Sequence, residues 1–348
     1  MTSRERVLTA CRRGKPDRVP RDLWMEAGVE QDLKRRLPDQ DLLEYFNVDV
    51  RSAAPSPTRL ATDFSHYFDR DVECDEWGRG TVWDDQRHYA EICYPLRHAR
   101  DLADIEAYPW PDLLEDYRYE ETSRQVRSLQ DAGYAVTAPL YETVFEMAWE
   151  LRSMDLLFED MTFRPDLAAT LLDRITERRV FAAAKMAEAG VDIVQFGDDV
   201  AMQTGLMMSK TMWRQWFAPR LRRAIGAAKG ANPAVLIWYH SDGNITDLIP
   251  DLIEVGVDIL NPIQPECVDQ AWVKREYGDH LAFWGGLGVQ SVLPLGTPDQ
   301  VRQHVKEVIK DVGADGGLVI SPSHVLERDT PYANILAMKE AIDEYGTY

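Results

Sequence analysis

The chain has 348 residues, 45% hydrophobic and 28% charged, which is enough for one large core, and no low-complexity stretch divides it. With 59 acidic against 39 basic residues its formal net charge is -20, which repels a nucleic-acid backbone or an anionic membrane surface and argues against both as partners. The opening Met1-Thr2-Ser3-Arg4-Glu5-Arg6 lacks the apolar core of a signal peptide, and no window approaches the 18 apolar residues of a membrane span, so a soluble, cytoplasmic protein is expected. Cys11, Cys74, Cys93 and Cys267 form no C-x-x-C pair and read as reduced thiols.

Short apolar runs alternate with amphipathic segments, the pattern of parallel βα units. In chain order the runs that read as strands are Val19 to Trp24, Val48 to Ala53, Tyr134 to Leu140, Val191 to Phe196, Ala234 to His240, Asp258 to Ile263, Leu281 to Gly286 and Gly317 to Ser321. Eight such units close a (β/α)8 TIM barrel, here with an N-terminal helical extension. The expectation is a single barrel domain over residues 1–348 with an insertion at about 54–133. Within the insertion, Val72 to Trp77 and Thr81 to Asp84 flank Gly78-Arg79-Gly80 as a β-hairpin; Pro95, Pro109 and Pro111 and a helix from Tyr117 to Asp131 follow. The insertion either caps the barrel mouth or decorates a distant surface. Later helices carry their own punctuation: Asn244 and Thr246 open Ile245 to Val255 and Gly256 stops it, while Thr297-Pro298 opens a helix to Val312 that ends at Gly313.

Reactive groups of such a barrel sit at the carboxyl ends of its strands, where the βα loops converge. His240 and Asp242, spaced i and i+2 in an extended segment, share one face. His324, after the last strand, adds a second imidazole, and two imidazoles with a carboxylate are a ligand set for a divalent metal such as zinc. The bland reading makes Asp242 a helix cap and His240 a core residue bonded to a carbonyl. Asp198 and Asp199 end the fourth strand, and being adjacent they point to opposite faces, so one of them reaches the mouth. Glu142 and Glu146 follow the third strand, and either serves as a fourth ligand or a general acid. Asn261 and Gln264 read as substrate hydrogen-bonders, with Tyr141, Trp24 and Trp284 as further substrate contacts. Trp24, Trp238 and Trp284 could alternatively wall a tetrapyrrole, although tryptophans on strands usually pack cores. Gly285-Gly286 lacks dinucleotide spacing and reads as turn chemistry or close backbone approach, and Cys267 is a weaker metal ligand.

The segments Ser3-Arg4-Glu5-Arg6-Val7-Leu8, Pro16-Asp17-Arg18-Val19-Pro20, Gly197-Asp198-Asp199 and Asn334-Ile335-Leu336-Ala337-Met338 resemble the uroporphyrinogen decarboxylase-like superfamily nearly end to end. The resemblance is closest to its methyltransferase branch, methylcobamide:coenzyme M methyltransferases and the methyltransferases of corrinoid-dependent demethylating systems. It implies a (β/α)8 barrel that moves a methyl group between a small O-, N- or S-methyl compound and the cobalt of a partner corrinoid protein, with a homodimer as one expectation. The branch's zinc motif resembles His-x-Cys with a second Cys after the last strand; His240 matches the histidine, Asp242 stands in the first cysteine's place and His324 near the second's. The arginine-rich segment by which decarboxylases of the superfamily hold a polycarboxylate is replaced by Arg21-Asp22-Leu23-Trp24-Met25-Glu26. No cobalamin-binding Asp-x-His-x-x-Gly motif occurs, so the corrinoid is expected on the partner. The alternatives are a decarboxylating carbon-carbon lyase and a tetrapyrrole or corrinoid carrier.

Overall fold

The computed structural model describes residues 1–84 and 90–348. Its strands are β1 (Val50–Ser52), β2 (Glu73–Cys74), β3 (Gly80–Trp83), β4 (Ala90–Cys93), β5 (Ala135–Leu140), β6 (Ile193–Gly197), β7 (Ala201–Met202), β8 (Gly205–Leu206), β9 (Leu236–His240), β10 (Ile259–Asn261), β11 (Ala282–Leu287) and β12 (Leu318–Pro322). β1, β5, β6, β9, β10, β11 and β12 pair in that order, all parallel, with helices between them.

The eighth wall position is not a regular strand. Pro20 O accepts from Ile320 N (2.9 Å), Asp22 N donates to Ile320 O (3.1 Å), and Asp49 N donates to Arg21 O (3.0 Å), so residues 20–22 bridge β12 to β1 and close the (β/α)8 barrel. The expected strand Val19 to Trp24 shrinks to these bridges, because Pro20 has no N–H to extend a ladder.

Period-2 alternation turns one set of strand side chains into the barrel, among them Val50, Ile193, Trp238, Ile259, Trp284 and Val319. They pack against Val7, Ala10 and Cys11 of the helix Ser3–Cys11, which closes the base of the barrel as a solid floor. Trp238 and Trp284 are both 0% exposed, and truncating either to Ala would cost about 3–5 kcal/mol. A larger apolar cluster fills the space between sheet and outer helices.

Between β1 and β5, strands β2, β3 and β4 form an antiparallel sheet. The β2–β3 hairpin was expected; β4, past the expected hairpin's end at Asp84, was not. The expected helix from Tyr117 divides into a 3₁₀ turn at Asp116–Tyr119 and a helix at Thr122–Asp131. After β9 a 3₁₀ turn (Thr246–Leu248) leads into the helix Ile249–Val255, and Gly256 ends it in the left-handed conformation (φ 107°). Thr297 and Gln300 make a reciprocal capping box for the helix Pro298–Val308, which runs into a π-type turn at Ile309–Gly313. Among the described residues no helix is long and apolar enough to cross a membrane.

Candidate active site at the barrel mouth

His240 ends β9 with Gly197 of β6 on one side and Asn261 of β10 on the other, both in register. A Cβ on residue 197 would lie 2.9 Å from His240 Cβ, so a bare neighbour is what lets the imidazole stand here. Its Nε2 lies 3.5 Å from Asp199 Oδ1 and 3.7 Å from Asp242 Oδ1, and its Nδ1 lies 2.5 Å from Asn261 Oδ1. His324 arrives from the loop after β12, its ring centroid 6.1 Å from that of His240. One ligand atom each from His240, Asp242 and His324 lie within 4.8 Å of one another, so the structure brings these three together.

Asp242 Oδ1 is buried and has no hydrogen-bond partner, and burial raises the Asp242 pKa against the opposing pull of His240. An orphaned carboxylate oxygen facing two imidazoles fits a divalent cation, which would satisfy all three at once. Zinc–ligand bonds of about 2.0–2.1 Å imply tetrahedral ligand edges of about 3.3 Å, so the cluster fits after a small closure of its side chains. Cys267 lies outside this cluster, and burial raises its thiol pKa.

The four acidic candidates divide. Asp199 faces the mouth, where Oδ1 accepts from Asp242 N at 2.7 Å. Asp198, 4% exposed, turns the other way and accepts from the backbone N–H groups of Val144 (3.0 Å) and Glu146 (3.0 Å). It thus caps the helix Phe145–Arg152, whose own N-cap residue, Val144, offers no acceptor. Asp198 is therefore a cap, not a mouth acid, and burial pushes its pKa up to about 7. Glu142 is also reassigned: held at φ 51°, it accepts from Arg79 Nη1 at 2.9 Å, and Glu150 shares that guanidinium at 2.6 Å. Arg79 belongs to the β2–β3 turn, so Glu142 anchors the insertion at the rim, a role that its place after the third strand does not suggest. Glu146 is set apart by its charge state: burial, then the charges of Asp199 and Asp198, push its pKa up to about 9, so it carries a proton at neutral pH.

Trp24, Tyr141 and Trp238 form an aromatic triangle with centroid separations of 5.7 to 6.1 Å, and Trp238 stacks on the His240 ring at 5.8 Å. Tyr141 is 37% exposed and donates its hydroxyl to Gln195 Oε1 at 3.0 Å. Trp284 is corrected from substrate contact to interior packing, since its strand parity points it into the floor edge-on to Trp238. Asn261, 1% exposed, is likewise not free for substrate, because Nδ2 donates to Trp284 O (2.9 Å) while Oδ1 meets His240. Gln264 accepts from Gly243 N at 3.2 Å and lines a cavity of ≈ 410 Å³ with Asp242, His324, Glu327, Asp329 and the apolar Val289, Pro294 and Leu295. Among the described residues no Lys or Arg lines it. Glu266 was missed; its Oε2 is buried without a partner and its charge reaches Asp242. Its position just past Gln264-Pro265 was the available signal.

The chain is 28% identical over 183 residues to the methylcobamide:CoM methyltransferase MtaA of Methanosarcina barkeri, a match covering 52% of this chain and 50% of that one. It is 22% identical over 263 residues to a uroporphyrinogen decarboxylase of Coxiella burnetii, covering 72% of this chain and 69% of the relative. Its alignment with MtaA thus spans about half the length of that relative. Among solved structures, a methyltransferase from Methanosarcina mazei superposes with a TM-score of 0.69 at 19% identity, covering 99% of each chain, which shows the shared fold. The uroporphyrinogen decarboxylase (URO-D) family model matches residues 88–345, and with the closed (β/α)8 wall this makes the chain a member of the URO-D family.

Proposed function

We propose that this URO-D family protein is a methyltransferase that moves a methyl group between a small O-, N- or S-methyl compound and the cobalt of a partner corrinoid protein, with a divalent metal, zinc first among them, at His240, Asp242 and His324. The observation that supports it most is the meeting of those three ligand atoms within 4.8 Å beside an orphaned carboxylate oxygen. A metal held by this hard ligand set, when bound, would polarise the methyl-bearing heteroatom as a Lewis acid. Glu146, protonated at neutral pH, supplies a proton at its carboxyl oxygen, and Asp199 holds the Asp242 loop by accepting its N–H. Trp24 and Tyr141 orient the donor over the Trp238 floor and exclude water. The carboxylates of the adjoining cavity, with no Lys or Arg among its described lining, suit a neutral or cationic donor better than a sulfonate or carboxylate. The corrinoid protein docks over the mouth.

The lyase reading needs cations for a carboxylated substrate. Arg79 is shared by Glu142, Glu150 and Asp75, and Arg21, 4% exposed, pairs with Asp343. The carrier reading needs Trp238 and Trp284 exposed to a macrocycle, and both are buried in the floor. Metal analysis of the native protein beside His240→Ala and His324→Ala tests the proposal: about one equivalent of divalent metal is expected in the wild type and its loss in both variants. Full activity after chelation, or carbon dioxide release without any need for a corrinoid protein, would overturn it.

A further inference from the structure

We infer that Asn261 is a positioning residue that fixes the His240 imidazole as its Nδ1–H tautomer and so turns an unprotonated Nε2 toward the Asp199 and Asp242 carboxylates of the proposed metal site. The orientation of the Asn261 amide follows from its partners. Trp284 O can only accept, so the group 2.9 Å from it is the Nδ2 amine, and the amide oxygen is the atom left for His240. An amide oxygen also only accepts, so the Nδ1 atom 2.5 Å away carries the hydrogen, and a neutral ring then keeps its lone pair at Nε2.

The relay crosses three adjacent strands, from the Trp284 carbonyl of β11 through the Asn261 amide of β10 to the His240 ring of β9. Both of its fixed ends are rigid. Trp284 is 0% exposed and paired with Val319 of β12, and His240 is stacked on Trp238. Gly285, at φ 121°, keeps β11 against the turn after β10, since a Cβ there would lie 2.4 Å from Pro262 O. Reversing the tautomer would set the Nδ1 lone pair against the Asn261 oxygen and put a hydrogen between Nε2 and the Asp242 carboxylate.

This inference rests on the proposed metal only for the ion; the tautomer is a property of the metal-free chain, and the two are separable by experiment. Protein labelled with ¹⁵N histidine and freed of metal is examined at alkaline pH by multiple-bond ¹H–¹⁵N correlation. His240 is expected as the Nδ1–H form in the wild type and in Asn261→Asp, whose carboxylate still accepts, and to shift toward Nε2–H in Asn261→Leu. Titration with Zn²⁺ alone is expected to give an affinity about 10–100-fold weaker in Asn261→Leu, with Asn261→Asp close to wild type. Both variants lose the bond to Trp284 O, so a merely structural role would weaken zinc binding in both alike. An Nε2–H form in the wild type, or wild-type tautomer and zinc affinity in Asn261→Leu, overturns the inference. A wild type that binds no zinc yet shows the Nδ1–H form overturns the metal and leaves the positioning role standing.

Discussion

At the base of the barrel Asp49, Asp192 and Asp258 each stand immediately before a strand, and each accepts a backbone N–H from a neighbouring segment: Arg21 N at 3.0 Å, Val136 N at 3.0 Å and Ile237 N at 2.8 Å. Each also has a cation. Arg6 and Arg18 bracket Asp49 at 2.7 and 2.8 Å, Arg4 reaches Asp192 at 2.9 Å, and Lys229 reaches Asp258 at 3.0 Å. At the mouth the charge of Asp199 acts on Glu146 and those of Asp199 and Glu266 act on Asp242, the cationic partners of Asp199 and Asp242 are imidazoles, and Asp242 and Glu266 keep an oxygen with no partner. Matched carboxylates tie strands together, while at the mouth burial and then neighbouring charges raise the pKa of Glu146 and Asp242, and the unpartnered oxygens of Asp242 and Glu266 retain capacity for a proton, a metal or a substrate. The base is built to hold strands together, and the mouth keeps the groups that the proposed transfer would use.

Asp49→Ala is the hardest test of that division. It removes the 0% exposed carboxylate that two guanidinium groups share and that accepts from Arg21 N, and urea unfolding should report a loss of about 3–5 kcal/mol with metal binding at the mouth unchanged. A loss below about 1 kcal/mol would mean that the base network does not carry stability. His240→Ala should do the reverse, weakening metal affinity by about 100-fold or more, roughly 2.7 kcal/mol, while the unfolding free energy stays within about 1 kcal/mol of wild type.

The third test uses pH. Burial holds Glu146 near 9 and Asp198 near 7, so the native chain keeps protons that the unfolded chain releases in the ordinary carboxylate range. Native stability therefore falls as pH rises from that range through about 9. Thermal midpoints of Glu146→Gln should lose the decline between about 7 and 9 and about half of the decline below 7, where Asp198 still contributes. An unchanged slope would detach Glu146 from the mouth's proton inventory. The smallest effect is expected from Lys229→Met, where the ion pair at the base is partly open to water; a loss of under about 1 kcal/mol in the same unfolding assay would rank the base pairs by burial.

Much of the wall was legible because buried parallel strands read as continuous apolar runs, and His240 and Asp242 could be set on one face from their spacing alone. Strand parity also foretold that Asp198 and Asp199 would part, but which of them turns inward depends on the helix Phe145–Arg152 lacking a cap of its own. The roles of Glu142 and Asn261 were beyond reach for the same reason: Arg79 is 63 positions from Glu142, and Trp284 is 23 from Asn261. Acids and amides at strand ends look available in a sequence until a distant loop or strand claims them. Pro20 did carry a readable warning, since a residue without an N–H could not sit inside a regular strand.

The closed floor under Trp238 and Trp284 leaves, among the described residues, the mouth as the way into the barrel. For the transfer proposed here, a small reactant has to enter before the cobalt-bearing protein covers the opening and can depart only once that protein lifts away. Such traffic imposes an ordered kinetic sequence, in which a large excess of the macromolecular reactant slows turnover by trapping the small one inside or out.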